Sequence, residues 1–389
     1  MSSQPIPNSL SCDLAIVGGG LAGGLIALAM AQRHPQARVL LIEREGSIGG
    51  NHVWSFFDGD VRDADRWLVD PAVAHRWPEG HDVRFPGYRR TLSTPYNSIT
   101  SVRFDAHLRE VLGDRIVRGE AAQLTPDAVM LADGRDIAAK TVIDARGGGD
   151  ISMLNCGWQK FVGQTLRLSV PHGLTRPVIM DATVPQIDGY RFVYLLPVGE
   201  KDIFVEDTYY SDGPELPVES IRARISDYAA AQGWAVETVV HEETGVLPVV
   251  YGGDFEALWP TAETVARAGV RGGLFHPTTG YSLPDAVAFA LHVAERWPID
   301  GAALAAGSRT WAKRHWASGA YYRLLGKMLF RAAEPASRFR IFQRFYRLSP
   351  ALIQRFYAGR STLADKLRIL FGRPPVPISR AVKALMRQG

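Results

Sequence analysis

Glu206 and Asp207 stand side by side in Phe204-Val-Glu-Asp-Thr208, inside an apolar run that reads as a β-strand. Alternation along a strand puts Phe204, Glu206 and Thr208 on one face and Asp207 on the other. A carboxyl among apolar neighbours has its neutral form favoured and its pKa raised, which readies it to donate a proton. Glu206 is therefore a candidate general acid. Asp207 is a candidate partner, structural or catalytic, from the opposite face. The alternative is a pair of solvated carboxylates at a hairpin edge. Glu242-Glu243, ahead of Gly245-Val-Leu-Pro248, reads as a solvated pair.

A second chemistry is legible near the start of the chain. Asp13-Leu-Ala-Ile-Val runs into Gly18-x-Gly20-x-x-Gly23 and an apolar helix, and a second strand ends in Glu43, 20 residues beyond Gly23. Gly18 permits a tight strand-to-helix turn, Gly20 lets backbone approach a pyrophosphate, and Gly23 lets helix and strand pack closely. The helix N-terminus offers free N–H groups and a partial positive charge to phosphates, and Glu43 is placed for a ribose. NAD and FAD folds share this fingerprint. FAD is favoured by the position of the fingerprint near residue 1, by Gly49 and Gly50 soon after Glu43, and by the Gly269–Ala286 loop and helix, which contains Gly280. No second fingerprint is present, so no separate NAD(P)H domain is expected.

The elements that must hold these groups read as an α/β fold. Residues 13–46 form strand, helix, strand; 102–111 a helix; 129–146 a hairpin and strand; 161–209 a strand-rich stretch; 220–232 a helix; and a helix starts near Pro284. The dinucleotide fold looks interrupted. The expected division is 1–150 for its first part, 151–260 for a β-rich substrate domain, 261–308 for its return, and 309–389 for a helical basic segment.

Of 389 residues, 46% are hydrophobic, enough for a large core, and two are cysteines, which argues against a disulfide framework or a zinc cluster. No metal site is expected. No apolar run reaches the length of a membrane-spanning helix, and no leader is read ahead of the first strand, so a cytoplasmic location is expected. The net charge of +4 hides a division. From Arg309 onward there are 18 Lys/Arg against 2 Asp/Glu, on an otherwise acidic chain. Aromatics interleave with those cations, as in Phe339-Arg-Ile-Phe342-Gln-Arg-Phe345-Tyr346. That pattern suits an amphipathic helix on an anionic membrane surface; the alternative is a helical cap packed on the body. Nucleic acid is not expected as a partner, because no nucleic-acid-binding fold accompanies the charge.

The fingerprint, without a second dinucleotide motif, resembles the hydroxylase-like FAD superfamily. One departure is the lack of that superfamily's Gly-Asp-Ala triplet: the matching stretch is Val270-Arg-Gly-Gly273. Further motifs narrow the resemblance. Gly49-Gly-Asn-His-Val-Trp-Ser-Phe56, Phe192-Val-Tyr-Leu-Leu-Pro197, Phe204 to Thr208, Gly245 to Pro248 and Gly273-Leu-Phe-His-Pro-Thr-Thr-Gly-Tyr-Ser282 are together similar to the lycopene β-cyclases of bacterial type. Phe204 to Thr208 sits where plant relatives carry Phe-Leu-Glu-Glu-Thr, and the missing acid is a feature of that family too. The resemblance implies acid–base cyclisation of the ψ-ends of lycopene to β-ionone rings, giving γ-carotene and then β-carotene. It implies a reduced FAD that stabilises a carbocation, NAD(P)H as its reductant, and Glu206 as the proton donor, with the deprotonating base unnamed. Trp54, Tyr194, His276 and Tyr281 become pocket candidates; the alternatives are plain core for the aromatics and a loop-shaping histidine before Pro277. Rival readings are an FAD-dependent monooxygenase or prenyl-chain reductase of the same superfamily, and a non-catalytic flavoprotein docking on membranes.

Overall fold

The computed structural model describes residues 9–371. Strand Ser9–Val17 lies at the centre of a seven-stranded sheet. It pairs in parallel with Val39–Glu43 on one side and Asp136–Asp144 on the other, and Ile116–Arg118 extends the first edge in parallel. Strands Ala128–Leu131 and Ala121–Leu124 extend the other edge as an antiparallel meander, and the seventh strand, Ala266–Arg267, pairs in parallel with the end of Asp136–Asp144. From Leu14 to Val17 the central strand is apolar and buried, as a parallel strand covered on both faces must be. Helix Leu21–Arg33 is apolar almost all round and buried along nearly its whole length. It packs on helix Leu283–Arg296, while helix Ser101–Leu112 lies beside it.

A second seven-stranded sheet runs in the order Val236–Gly253, Leu154–Leu168, Asp202–Ser211, Tyr190–Pro197, Val178–Asp181, His81–Phe85, Tyr88–Leu92. The last two strands come from within residues 1–150. The hairpin at 81–92 therefore belongs to the second sheet and not to the dinucleotide fold, a correction to the division read from sequence. A small sheet of Val53–Phe57, Tyr96–Thr100 and Val73–Trp77 also falls in that stretch.

The second sheet is covered on both sides, and its alternation decides what faces what. Phe204 and Tyr210 of strand Asp202–Ser211 join one core with Tyr190, Phe192 and Leu196 of the next strand. Ile203, Val205 and Tyr209 point the other way, into a core shared with Ile221, Ile225 and Tyr228 of helix Val218–Ala231. The face bearing Phe204 also bears Glu206.

The C-terminal helices run from Gly301–Ser318 through Ala320–Arg331, Phe339–Phe345, Pro350–Tyr357 and Leu363–Leu370. Their aromatics face inward. Tyr322, Phe330, Tyr346, Phe356 and Tyr357 are buried in the core beneath the second sheet. Phe342 stacks on Tyr190 with ring centroids 4.3 Å apart. The guanidinium of the fully buried Arg338 donates to the carbonyls of Tyr210 (3.0 Å) and Leu329 (3.2 Å) and to Asp212. Residues 339–346, for which the sequence leaves both a lipid-facing helix and a packed cap open, thus pack against the body, where the second sheet offers apolar surface to bury. Residues 372–389 of the basic segment lie outside the described residues. No helix among the described residues is long and apolar enough to cross a membrane.

Candidate active site

One cavity of about 690 Å³ runs from the glycine fingerprint to Glu206. At its phosphate end, Gly18 has φ +106° and a Cβ there would meet the Arg146 amide nitrogen at 2.7 Å. A Cβ on Gly23 would fall 2.0 Å from the Gly18 carbonyl oxygen, so helix and turn touch only because residue 23 is glycine. Gly20 faces open space, with nothing within 4 Å of where its Cβ would be. Glu43 accepts the Gly19 N–H at 2.7 Å through Oε2, which ties the second strand to the turn. Gly49, Gly50 and Gly280 line the same cavity. Where the superfamily triplet is missing, Arg271 stands 3.3 Å from Asp144, which also binds Arg146 at 2.7 Å.

At its far end the cavity is walled by aromatics: Trp54, Phe161, Phe192, Tyr194, Tyr281 and Tyr357. The Tyr96 hydroxyl lies 3.1 Å from both the Tyr194 and the Tyr281 hydroxyls, so one buried tyrosine joins the small sheet, the second sheet and the 276–282 loop. Tyr96 stands in no recognisable motif, because its place depends on three segments meeting.

Glu206 opens onto this chamber and is 9% exposed. Burial pushes its pKa up to about 7, opposed by the Thr208 hydroxyl, which donates to Oε1 at 2.5 Å. Thr208 and Glu206 meet because residues two apart share a face. Asp207 is on the far side and fully buried. It receives the Arg191 guanidinium at 2.8 and 3.1 Å and the Tyr209 hydroxyl at 2.6 Å. It does not line the cavity, so the direct catalytic role considered from sequence is replaced by an anchoring one. Removing one partner of a buried ion pair leaves an uncompensated charge. Arg191→Ala is expected to lower unfolding free energy by about 3–5 kcal/mol, read from the denaturant midpoint at pH 7.

His276 lies behind the cavity wall. Its Nδ1 accepts the amides of Thr278 and Thr279, each at 3.3 Å, and its ring packs on Tyr322 at 4.4 Å. Burial lowers its pKa to about 4. It shapes the loop from behind, while Thr279, Gly280 and Tyr281 present themselves to the cavity.

Glu242 and Glu243 part company. Glu242 binds Arg222 of the covering helix and receives the Gln164 amide at 2.7 Å. Glu243 faces the cavity, 4% exposed, so its reading as a solvated residue fails. Burial, with the Glu206 charge second, pushes its pKa up to about 9. The sequence signal was Glu243-x-Gly245-x-Leu247, a period-two row whose other two members also line the cavity.

Comparison with known proteins agrees with this geometry. A family model described as lycopene cyclase protein matches residues 13–383. A lycopene beta-cyclase of Pseudescherichia vulneris is 46% identical, covering 96% of this chain and 97% of the relative. One from Pantoea ananas is also 46% identical, covering 96% and 98%. Among solved structures, a geranylgeranyl bacteriochlorophyll reductase-like protein of Thermoplasma acidophilum superposes with TM-score 0.59 at 16% identity, covering 97% of this chain and 99% of that one. A flavin-dependent brominase superposes with TM-score 0.59 at 14% identity, covering 90% and 94%. These two share the fold. With a matching family model over nearly its whole length and close relatives covered end to end, the chain belongs to the lycopene cyclase family.

Proposed function

We propose that this protein is an FAD-dependent lycopene β-cyclase that closes the ends of its substrate by moving protons, without net redox change. The observation that carries this reading is the single cavity joining a dinucleotide cradle to a buried, protonatable carboxyl among aromatic rings. The cradle fits FAD: the space above Gly20 is open to a pyrophosphate, Glu43 stands at the end of the second strand for a ribose, and Gly280 and Tyr281 border the path toward Glu206. When bound in its reduced form, with NAD(P)H as reductant, FAD supplies negative charge beside the developing cation.

The chain's own residues do the rest. An alkene is a very weak base, so its donor must be a neutral acid shielded from water, and Glu206 is held in that state by burial. The ring faces of Tyr194, Tyr281 and Phe192 offer quadrupolar stabilisation to a cation in the chamber. The apolar walls keep out water that would capture it. Lycopene has no polar group and must be drawn from a bilayer. Support for membrane contact comes from helix Leu363–Leu370, where Leu363, Leu367, Leu370 and the following Phe371 are exposed along one face, beside Lys366 and Arg368.

The test is anaerobic incubation of purified protein with lycopene in liposomes and chemically reduced FAD, without NAD(P)H. β-Carotene is expected as product. A reduced or oxygenated product formed only with continuous NAD(P)H consumption would instead place the chain with the redox enzymes that share its fold.

A further inference from the structure

The second sheet brings another carboxyl to the reaction chamber. Gly163 pairs with Glu206 on one neighbouring strand and with Glu243 on the other. Residues paired across strands share a face, so the two glutamates stand in one row, two strands or roughly 10 Å of backbone apart. Gly163 between them has no side chain. A Cβ there would lie 2.4 Å from the Phe204 ring and 3.4 Å from Cγ of Glu243. The glycine leaves the gap between the acids clear, and both acids line the same cavity.

Neither glutamate has a Lys or Arg within ion-pairing distance among the described residues. Glu243 accepts the Val53 N–H at 3.0 Å through Oε2, and His52 Nδ1 stands 3.8 Å from that oxygen. Burial lowers the pKa of His52. Tyr194, paired with Glu206 across the adjacent strands, and Tyr210 on the Glu206 strand are held neutral by burial, as are Tyr281 and Tyr357 across the chamber. On the opposite sheet face, Asp207 is held by Arg191 and Glu242 by Arg222. Glu243 has Glu206 as its charged neighbour, while Glu206 also feels Asp207 from the opposite face; two buried carboxyls in one cavity titrate as a unit that shares one proton.

We propose that Glu243 is the base of the ring closure. Glu206 gives its proton to the terminal double bond. The internal double bond attacks the resulting cationic carbon and closes the ring, leaving a new cation within it. In the state whose shared proton sits on Glu206, Glu243 is the carboxylate; it takes the proton from the adjacent ring carbon, and the C–H electron pair becomes the ring double bond. One proton enters the substrate and one leaves, so the product is an isomer. The proton on Glu243 then passes to Glu206 across the gap over Gly163, and the pair is reset with no electron transferred. This assignment rests on the proposed cyclase reading.

The experiment compares wild type, Glu206→Gln, Glu243→Gln and Glu243→Asp as flavin-loaded proteins. It measures kcat and KM for lycopene between pH 5 and 10, with flavin content and Tm recorded for each. Glu243→Gln is expected to lower kcat about 100-fold or more, with KM within threefold and flavin content unchanged. Its residual activity should lose the limb that rises with pH, because that limb reports loss of the first proton from the pair. Glu243→Asp should recover at least about a tenth of wild-type kcat. Wild-type kcat in Glu243→Gln, with Glu206→Gln inactive, would overturn the assignment and leave Glu206 alone. If Glu243→Gln does not fold, Glu243→Asp decides: unchanged Tm with lowered kcat and a shifted rising limb supports the base, and unchanged kcat overturns it. A wild type that binds flavin but forms no cyclic product would overturn the cyclase reading instead.

Discussion

Replacing Glu206 with Gln is expected to lower lycopene turnover about 10³-fold, within the range that a positioned general acid supplies. Flavin binding and Tm should stay near wild type. The carboxamide fills the same space and can still accept the Thr208 hydroxyl, so what disappears is the proton. The sign of the pH effect follows from the direction of the shift. Burial raises this carboxyl to about 7, and only the protonated form donates. The limb of kcat/KM that reports Glu206 is therefore flat at low pH and falls about tenfold per unit once pH exceeds its pKa. Activity that survived in Glu206→Gln, or a profile that rose through this region and did not fall, would remove Glu206 from the donor role.

Ending the chain after Gly319 is expected to abolish the cooperative unfolding transition and send the protein to the insoluble fraction. The deleted part includes nine residues of the core beneath the second sheet: Tyr322, Leu329, Phe330, Tyr346, Leu348, Leu352, Ile353, Phe356 and Tyr357. Burying each large apolar side chain contributes about 1.5–3 kcal/mol, and together they outweigh the roughly 5–15 kcal/mol by which a domain is stable. A milder change separates folding from membrane contact. Leu363, Leu367 and Leu370 are exposed, so changing all three to Ser should leave Tm unaltered while weakening binding to anionic vesicles. Unchanged vesicle binding would remove this helix as the contact face.

The sequence was informative where structure is local. The glycine fingerprint, Glu43 and the alternation that separates Glu206 from Asp207 each depend on residues close in the chain. Glu243 was missed because its one signal, the period-two row with Gly245 and Leu247, does not say which face of the strand is covered. Strand Val236–Gly253 is exposed over its first five residues and enters the chamber only later, and its register against Leu154–Leu168 is a long-range property. For His276 the sequence leaves both a cavity-facing and a loop-shaping place open, because a motif does not say which side of a loop looks into a cavity. The aromatic periodicity of 339–346 looks the same whether lipid or protein covers it, and only the uncovered sheet face decides. The hairpin at 81–92 could not be assigned to a sheet whose neighbouring strand begins at Val178.

The path of that hairpin has a consequence for how the protein is made. Arg90 of strand Tyr88–Leu92 donates to the carbonyls of Tyr346 (2.8 Å) and Leu348 (2.6 Å), more than 250 residues further along the chain. On the ribosome the hairpin emerges long before its parallel neighbour, and longer still before the helices that cover it. Contacts of such high sequence separation form slowly, and until they form they leave unpaired strand edges and apolar surface open to aggregation. The chamber is thus completed last, when almost the whole chain has been synthesised. Yield in a foreign host should depend on translation speed and chaperone supply as much as on the stability of the finished enzyme.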